Sequence, residues 1–263
     1  MDLSPEESGV IIIPDSLLLS GILTITDESN KIPCIIGKLI LQGKPCHLHA
    51  IKKSMPITIA IYGSLVIFMV NISYYNPAYI NSLFFPETDL LISVGDNIDR
   101  GPESLNVLRL LNQPWFISVK GNHEAMALDA FETGDGNMWL ASGGDWFFDL
   151  NDSEQKEATD LLLKFHHLPH IIEITNDNIK YVIAHADYPG SEYLFGKEIA
   201  ESELLWPVDR VQKSLNGELQ QINGADYFIF GHMMFDNIQT FANQIYIDTG
   251  SPKSGRLSFY KIK

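Results

Sequence analysis

From about Phe84 onward the chain alternates short apolar runs with polar, helix-like segments, and this alternation constrains the fold more than any other feature of its 263 residues. Five runs read as strands: "DLLISVGD" (89–96), "PWFISVKGNHE" (114–124), "IKYVIAHAD" (179–187), "ADYFIFGHM" (225–233) and "NQIYIDTG" (243–250). Near-continuous apolar runs of this length suit strands buried on both faces in a helix-flanked sheet. Each ends in Asp, Asn, His or Gly, and open α/β sheets place ligands beyond the carboxyl ends of their strands. Between them, "GPESLNVLRLLNQ" (101–113) opens with Pro102 and Glu103 and repeats Leu at helical spacing. "DSEQKEATDLLLKFHHLP" (152–169) opens on an Asp-Ser cap signal and stops at Pro169. Both predict amphipathic helices.

The chemistry sits at the run ends. In "GDNIDRG" Asp96 follows a glycine that lets backbone come close, with Asp99 and Arg100 one turn on. In "GNHE" Asn122, His123 and Glu124 end the next run, while His185 and His232 stand at the equivalent place on two others. One carboxylate, one amide oxygen and two imidazoles form a mixed donor set suited to Mn, Fe or Zn rather than to a thiolate metal. A lone Asp after Gly is ordinarily a turn, and a lone His a satisfied surface or core residue. Four at equivalent strand ends are less easily dismissed.

The ordered motifs "LLISVGDNIDRGPESL", "KGNHEAMALDA", "GGDWFFDL", "VIAHADYP", "GADYFIFGH" and "YIDTG" closely resemble the bacterial and bacteriophage-lambda-type serine/threonine protein phosphatases, members of the calcineurin-like metallophosphoesterases. The resemblance covers residues 84–263. It implies an α/β fold, a sandwich of two mixed β-sheets flanked by helices, with two divalent metal ions, manganese first and Fe, Zn or Ni as alternatives. Matched residue by residue, it implies that Asp96 bridges the metals and that Asn122, His185 and His232 bind the second. It implies that His123 protonates the leaving oxygen, held by an acidic partner such as Asp99, and that Arg100 clamps the phosphoryl oxygens. The implied substrates are proteins or peptides carrying phosphoserine, phosphothreonine or phosphotyrosine.

Elementary chemistry supports these roles. Two cations polarise a phosphate and lower the pKa of a shared water from roughly 16 toward about 7 to 9. A serine alkoxide leaves poorly, so a positioned acid is worth about 10² to 10⁴ in rate. Arginine matches phosphate bidentately where lysine is a point charge. The symmetrical dinucleoside-tetraphosphate hydrolases share the "GPxSLxVLR" helix, but that branch carries Ala-Arg-Gly and Gly-Asn-His-Asp where "DRG" and "GNHE" stand here. A phosphoprotein phosphatase is therefore expected ahead of that hydrolase and of a non-enzymatic metal- or phosphoprotein-binding remnant.

The family opens with Gly-Asp-x-His-Gly, whose Asp and His bind the first metal, and this chain has no such motif. Counting back from Asp96 places it at Val66–Val70, within 33 residues, 54–86, that contain no Asp, Glu, Lys or Arg. Read with each codon starting one base earlier, those five positions permit Gly-Asp-Ile-His-Gly. We therefore read residues 1–83 as an atypical segment translated in a shifted frame, and residues 84–263 as a phosphoesterase domain lacking its first motif. Activity is expected to be impaired. The apolar run before Asn71, about 14 residues, is too short for the roughly 20 that span a bilayer; a buried strand is the other alternative.

Partners follow from charge. A formal net charge of −15 disfavours nucleic acid and anionic membranes. Two cysteines, Cys34 and Cys46, make no disulfide framework and fit the reducing cytoplasm. "CHLH" (46–49) has no second half with metal-site spacing. His166, His167 and His170 are expected to decorate a helix end, and Trp139, Trp146, Phe147 and Phe148 to line core or pocket wall. Two departures from the family read as drift: Val208 where an Arg is usual two residues after Trp206, with Arg210 as a potential substitute, and Met233 where Thr is usual.

Overall fold

The computed structural model describes residues 89–262 and, before them, the backbone of the strands Ile25–Thr26, Pro33–Cys34, Ile36–Leu41, Lys44–His49, Ile57–Ala60 and Val66–Met69. The shifted-frame reading of residues 1–83 and the side chains of Cys46–His49 lie outside the described residues. Two mixed sheets face each other. The larger runs Gln239–Phe241, Gln244–Tyr246, Tyr227–Phe230, Ile179–Ala184, Ile171–Asn176, Ile57–Ala60, Lys44–His49, Ile36–Leu41. The smaller runs Tyr260–Ile262, Val66–Met69, Leu90–Ser93, Phe116–Ser118.

Why the runs are apolar throughout is clear from which side each residue serves. Leu90, Ile92, Ile172, Ile174, Tyr181, Ile183, Ile229 and Ile245 pack together between the sheets. Their neighbours Ile171, Val182, Ala184, Phe228, Phe230 and Tyr246 turn outward against Leu204, Leu205 and Val211 of the helices Ser202–Leu205 and Asp209–Leu215. On the smaller sheet's outer face Leu91 and Phe116 pack with Val107 of the helix Ser104–Leu110. Successive strand residues point to opposite faces, so a strand covered on both sides must be apolar at every position.

All five expected strands form, in shortened versions, and so do both expected helices. Three details differ. "GNHE" is the first turn of a helix, Asn122–Thr133, rather than a strand end, because the Glu124 side chain reaches back to accept from Gly121 N at 2.7 Å and caps the helix there. The helix Asp152–Leu162 is capped by Asn151, whose side chain accepts from Ser153 N (3.0 Å) and Glu154 N (3.1 Å), one residue before the expected signal. The strand Ile171–Asn176 was not anticipated; it pairs antiparallel with Ile179–Ala184 through Asp177 and Asn178, both left-handed at φ 48° and 64°, as a tight hairpin turn demands. Among the described residues no helix is long and apolar enough to cross a membrane.

Ile183 is fully buried between the sheets. Ile183→Ala is therefore expected to cost roughly 2–5 kcal/mol in urea unfolding. A loss below about 1 kcal/mol would contradict its central place in the core.

Candidate metal centre and proton donor

Two loops meet backbone to backbone beyond the smaller sheet. A Cβ on Gly95 would lie 2.7 Å from Gly121 Cα, and one on Gly121 would lie 2.4 Å from Asp96 N, so neither position tolerates a side chain. The buried Glu124 carboxylate ties the loops together: it accepts from Asp96 N (2.8 Å), Asn97 N (2.6 Å) and Gly121 N (2.7 Å). Asn97 extends the clamp, donating from Nδ2 to Ser118 Oγ at 2.8 Å and accepting from Ser93 Oγ at 2.5 Å. Asp96, Asp99, Arg100 and His232 all adopt left-handed φ, between 55° and 76°. Such strain persists only where surrounding contacts over-determine the backbone.

Asp96, Asn122, His185 and His232 converge. One donor atom each from Asp96, His185 and His232 lies within 4.8 Å of the others, among the described residues the one such group. His185 Nδ1 donates to Val94 O at 2.7 Å, so the neutral ring carries its lone pair on Nε2. That Nε2 lies 2.9 Å from Asn122 Oδ1 and 3.3 Å from Asp96 Oδ1, lone pair facing oxygen. Asn122 Oδ1 also lies 3.2 Å from His232 Nδ1. Turned with its nitrogen inward, the Asn122 amide donates to these groups, Asp96 Oδ1 at 3.1 Å and His185 Nε2 at 2.9 Å among them. Turned with its oxygen inward, it joins the two ring nitrogens and Asp96 as a donor set that a cation would satisfy, and a carbonyl bond on the far ring nitrogen is how ligating histidines are usually oriented. The donor set therefore fits a divalent metal.

Electrostatics favours the binding forms. Burial alone would raise the Asp96 carboxyl, but the imidazoles of His185, His123 and His232 outweigh it and hold it below the usual range. Burial and the adjacent His185 push His232 down to about 4, leaving a neutral ring at neutral pH. Glu124 moves the other way, raised by burial and by the charge of Asp96.

Beside this cluster His123 Nδ1 donates to Asp99 Oδ2 at 2.6 Å, and both are buried. Burial works against its positive form, yet the carboxylates of Asp96 and Asp99 raise His123 above its ordinary value. Arg100 is exposed, its backbone N donating to Gly143 O (3.2 Å) and its Nε to Ser142 O (3.0 Å). The guanidinium is thus anchored on one edge.

All seven expected residues lie in this region. Arg210 does not substitute for the missing arginine: it is buried, donating to Asp187 Oδ1 (2.8 Å), Tyr188 O (3.0 Å) and Gly190 O (2.6 Å). Val208 instead precedes the helix Asp209–Leu215, and Met233 packs against the helix-covered face of the larger sheet. His166 and His167 do end a helical segment, near Glu132 in the case of His166. Sequence reasoning missed two things. Glu124 carries a role that the motif alone does not show, and Trp139 and Trp146, which do pack in a core cluster as expected, also donate from both indoles to Asp99. The "E" of "GNHE" was the available signal for the first.

Glu124→Gln puts an NH2 group among backbone donors. It is expected to lower stability by roughly 1–3 kcal/mol, read by chemical denaturation; an unchanged midpoint would mean that the clamp contributes nothing.

Comparison with known proteins agrees with this geometry. The model of the calcineurin-like phosphoesterase family matches residues 70–235. Over 180 residues, 68% of this chain, the chain is 95% identical to serine/threonine-protein phosphatase 2 of Escherichia coli (strain K12), covering 83% of that protein. It is 62% identical over the same length to phosphatase 2 of Salmonella typhimurium, again covering 83% of that protein, and 43% identical to phosphatase 1 of that organism, covering 82%. A solved structure described as a diadenosine tetraphosphatase shares the fold, with a TM-score of 0.52 at 20% identity over 78% of this chain and 96% of that one. A protein serine/threonine phosphatase from Saccharomyces cerevisiae gives 0.50 at 16% identity over 74% and 70%. The chain belongs to the calcineurin-like phosphoesterases.

Proposed function

We propose that this chain is a metal-dependent phosphoprotein phosphatase acting on phosphoserine and phosphothreonine, with phosphotyrosine as a further substrate, and impaired in this form. The observation that carries the reading is the convergence of Asp96, Asn122, His185 and His232 beside the His123–Asp99 pair. Asp96, Asn122, His185 and His232 would hold a divalent cation, manganese by preference. Such a cation neutralises phosphoryl charge and acidifies water.

The remaining chemistry belongs to the side chains. Arg100 meets the phosphoryl oxygens with its open guanidinium edge. Asp99 occupies Nδ1 of His123, leaving Nε2 to give its proton to the departing serine or threonine oxygen. The neighbouring carboxylates of Asp96 and Asp99 raise the affinity of His123 for its proton, which favours the charged, donating form. The names of the relatives, serine/threonine-protein phosphatases, support the substrate class. The net charge of −15 disfavours nucleic-acid and anionic-membrane partners, and the reading includes a cytoplasmic location.

Impairment follows from the missing first motif. Without the first-motif Asp and His, the residues present would hold one cation rather than two, which would supply less activation of water. The full chain should bind one Mn per molecule by calorimetry and hydrolyse a phosphoserine peptide in preference to diadenosine tetraphosphate. Turnover should fall below about 1 s⁻¹, the low end of ordinary enzymes. Two metals with higher turnover would overturn the impairment, preference for the dinucleotide would overturn the substrate class, and no metal binding would leave a non-enzymatic remnant. The nucleotide sequence of codons 60–90 tests the reading of residues 1–83: a shifted frame should encode Gly-Asp-Ile-His-Gly, and DNA that forbids it makes this segment genuine.

A further inference from the structure

Asp99 is wholly buried and sits at a left-handed φ of 76°, with no bulk water to solvate its charge. A buried carboxylate is tolerable only when donors surround it. Two of those donors come from far along the chain. Trp146 Nε1 lies 2.8 Å from Asp99 Oδ1, and Trp139 Nε1 is shared between Oδ1 (3.0 Å) and Oδ2 (3.1 Å). His123 takes Oδ2 at 2.6 Å. Three ring N–H groups therefore fix the plane of one carboxylate.

Packing alone does not require indoles here. Trp139 and Trp146 sit in an aromatic group with Phe131 and Phe147, Trp139 lying 5.9 Å from Phe131 and 5.7 Å from Phe147 between ring centroids. Phenylalanine serves in the same group, so ring area is available without an N–H. Yet both indoles aim their N–H at the same oxygen. Gly144 keeps that path open, since a Cβ there would lie 2.6 Å from Trp139 Nε1. An indole N–H donates and never accepts, so unlike a hydroxyl it cannot compete with Asp99 for the proton of His123.

We propose that Trp139 and Trp146 are positioning residues, which lock the Asp99 carboxylate so that Oδ2 holds His123 Nδ1 and Nε2 is presented to the leaving group. The proposal rests on the reading of His123 as the proton donor. It predicts an effect confined to proton donation, because both indole N–H groups are directed at Asp99.

The test is Trp146→Phe in the full chain, with Trp139→Phe as a second variant; Trp146 is only partly buried, and a phenyl ring remains in place of the indole. By proton NMR the unsubstituted chain should show a low-field His123 Nδ1 proton, assigned by its loss in His123→Asn. Trp146→Phe should shift or broaden it while the fold, read by far-ultraviolet circular dichroism, is unchanged. With manganese, Trp146→Phe should lower kcat for a phosphoserine peptide about tenfold or more, part of what a positioned acid supplies, while p-nitrophenyl phosphate, whose leaving group needs little protonation, changes less than about threefold. KM should stay constant for both. An absent low-field proton in the unsubstituted chain, or an identical one in both variants, overturns the proposal. If His123→Asn loses equal activity on both substrates, the donor reading fails; if His123→Asn discriminates between them and the tryptophan variants do not, the positioning role fails instead.

Discussion

The site depends on one contact: two strand-end loops that touch through glycines and are fastened by the Glu124 carboxylate. Gly95 and Gly121 leave no room for a side chain between them, so Asp96 and Asn122 are brought to the same point in space. The backbone N–H groups of Asp96, Asn97 and Gly121 would otherwise be buried without acceptors. Leaving a buried donor unmet costs more than a hydrogen bond gains, so Glu124 is nearly obligatory once the loops meet. The left-handed backbone at Asp96, Asp99 and Arg100 is sustained by the same closure.

Three carboxylates are buried within 29 positions, and each is stabilised differently. Asp96 faces imidazoles, which hold it ionised and ready for a cation. Glu124 faces backbone N–H groups, a fixed neutral lattice that cannot titrate. Asp99 faces an imidazole on one oxygen and indoles on the other. A single cluster of acids would repel itself; distributing their partners by chemical type lets three buried carboxylates coexist in one small region. The overall charge of −15 is thus compatible with a phosphate site, because cationic character is concentrated locally.

The sheet strands were legible because burial on both faces leaves an apolar run that no other element imitates at that length. Ile171–Asn176 escaped because Glu173 and Asn176 interrupt its run although both are buried. The helix Asn122–Thr133 escaped for a related reason: its first turn is occupied by polar groups turned to the site. Motif order singled out seven residues that the fold brings into one region. The roles of Glu124 and the two tryptophans were not legible, because all but one of their partners described above lie 27 to 47 positions away and three of those partners are backbone amides with no residue signature. A tryptophan in an aromatic stretch reads as core until its N–H is seen to have a destination.

The smaller sheet also locates what the site lacks. Val66–Met69 lies between Tyr260–Ile262 and Leu90–Ser93, parallel to the latter, with Met69 level with Ser93 and Ser93 level with Ser118. Three parallel strands therefore end on one edge. The strands ending at Ser93 and Ser118 are followed by Asp96 and Asn122, both donors of the cluster. After Met69 the sequence continues Val70, Asn71, Ile72, Ser73, with no carboxylate or imidazole. Moreover, four of the five positions where a shifted frame permits Gly-Asp-Ile-His-Gly are spent within the strand itself. Strand formation asks only for apolar, β-branched residues whereas ligation asks for particular atoms at particular places, so Val66–Met69 can pair in the sheet while the residues that follow it offer no carboxylate or imidazole.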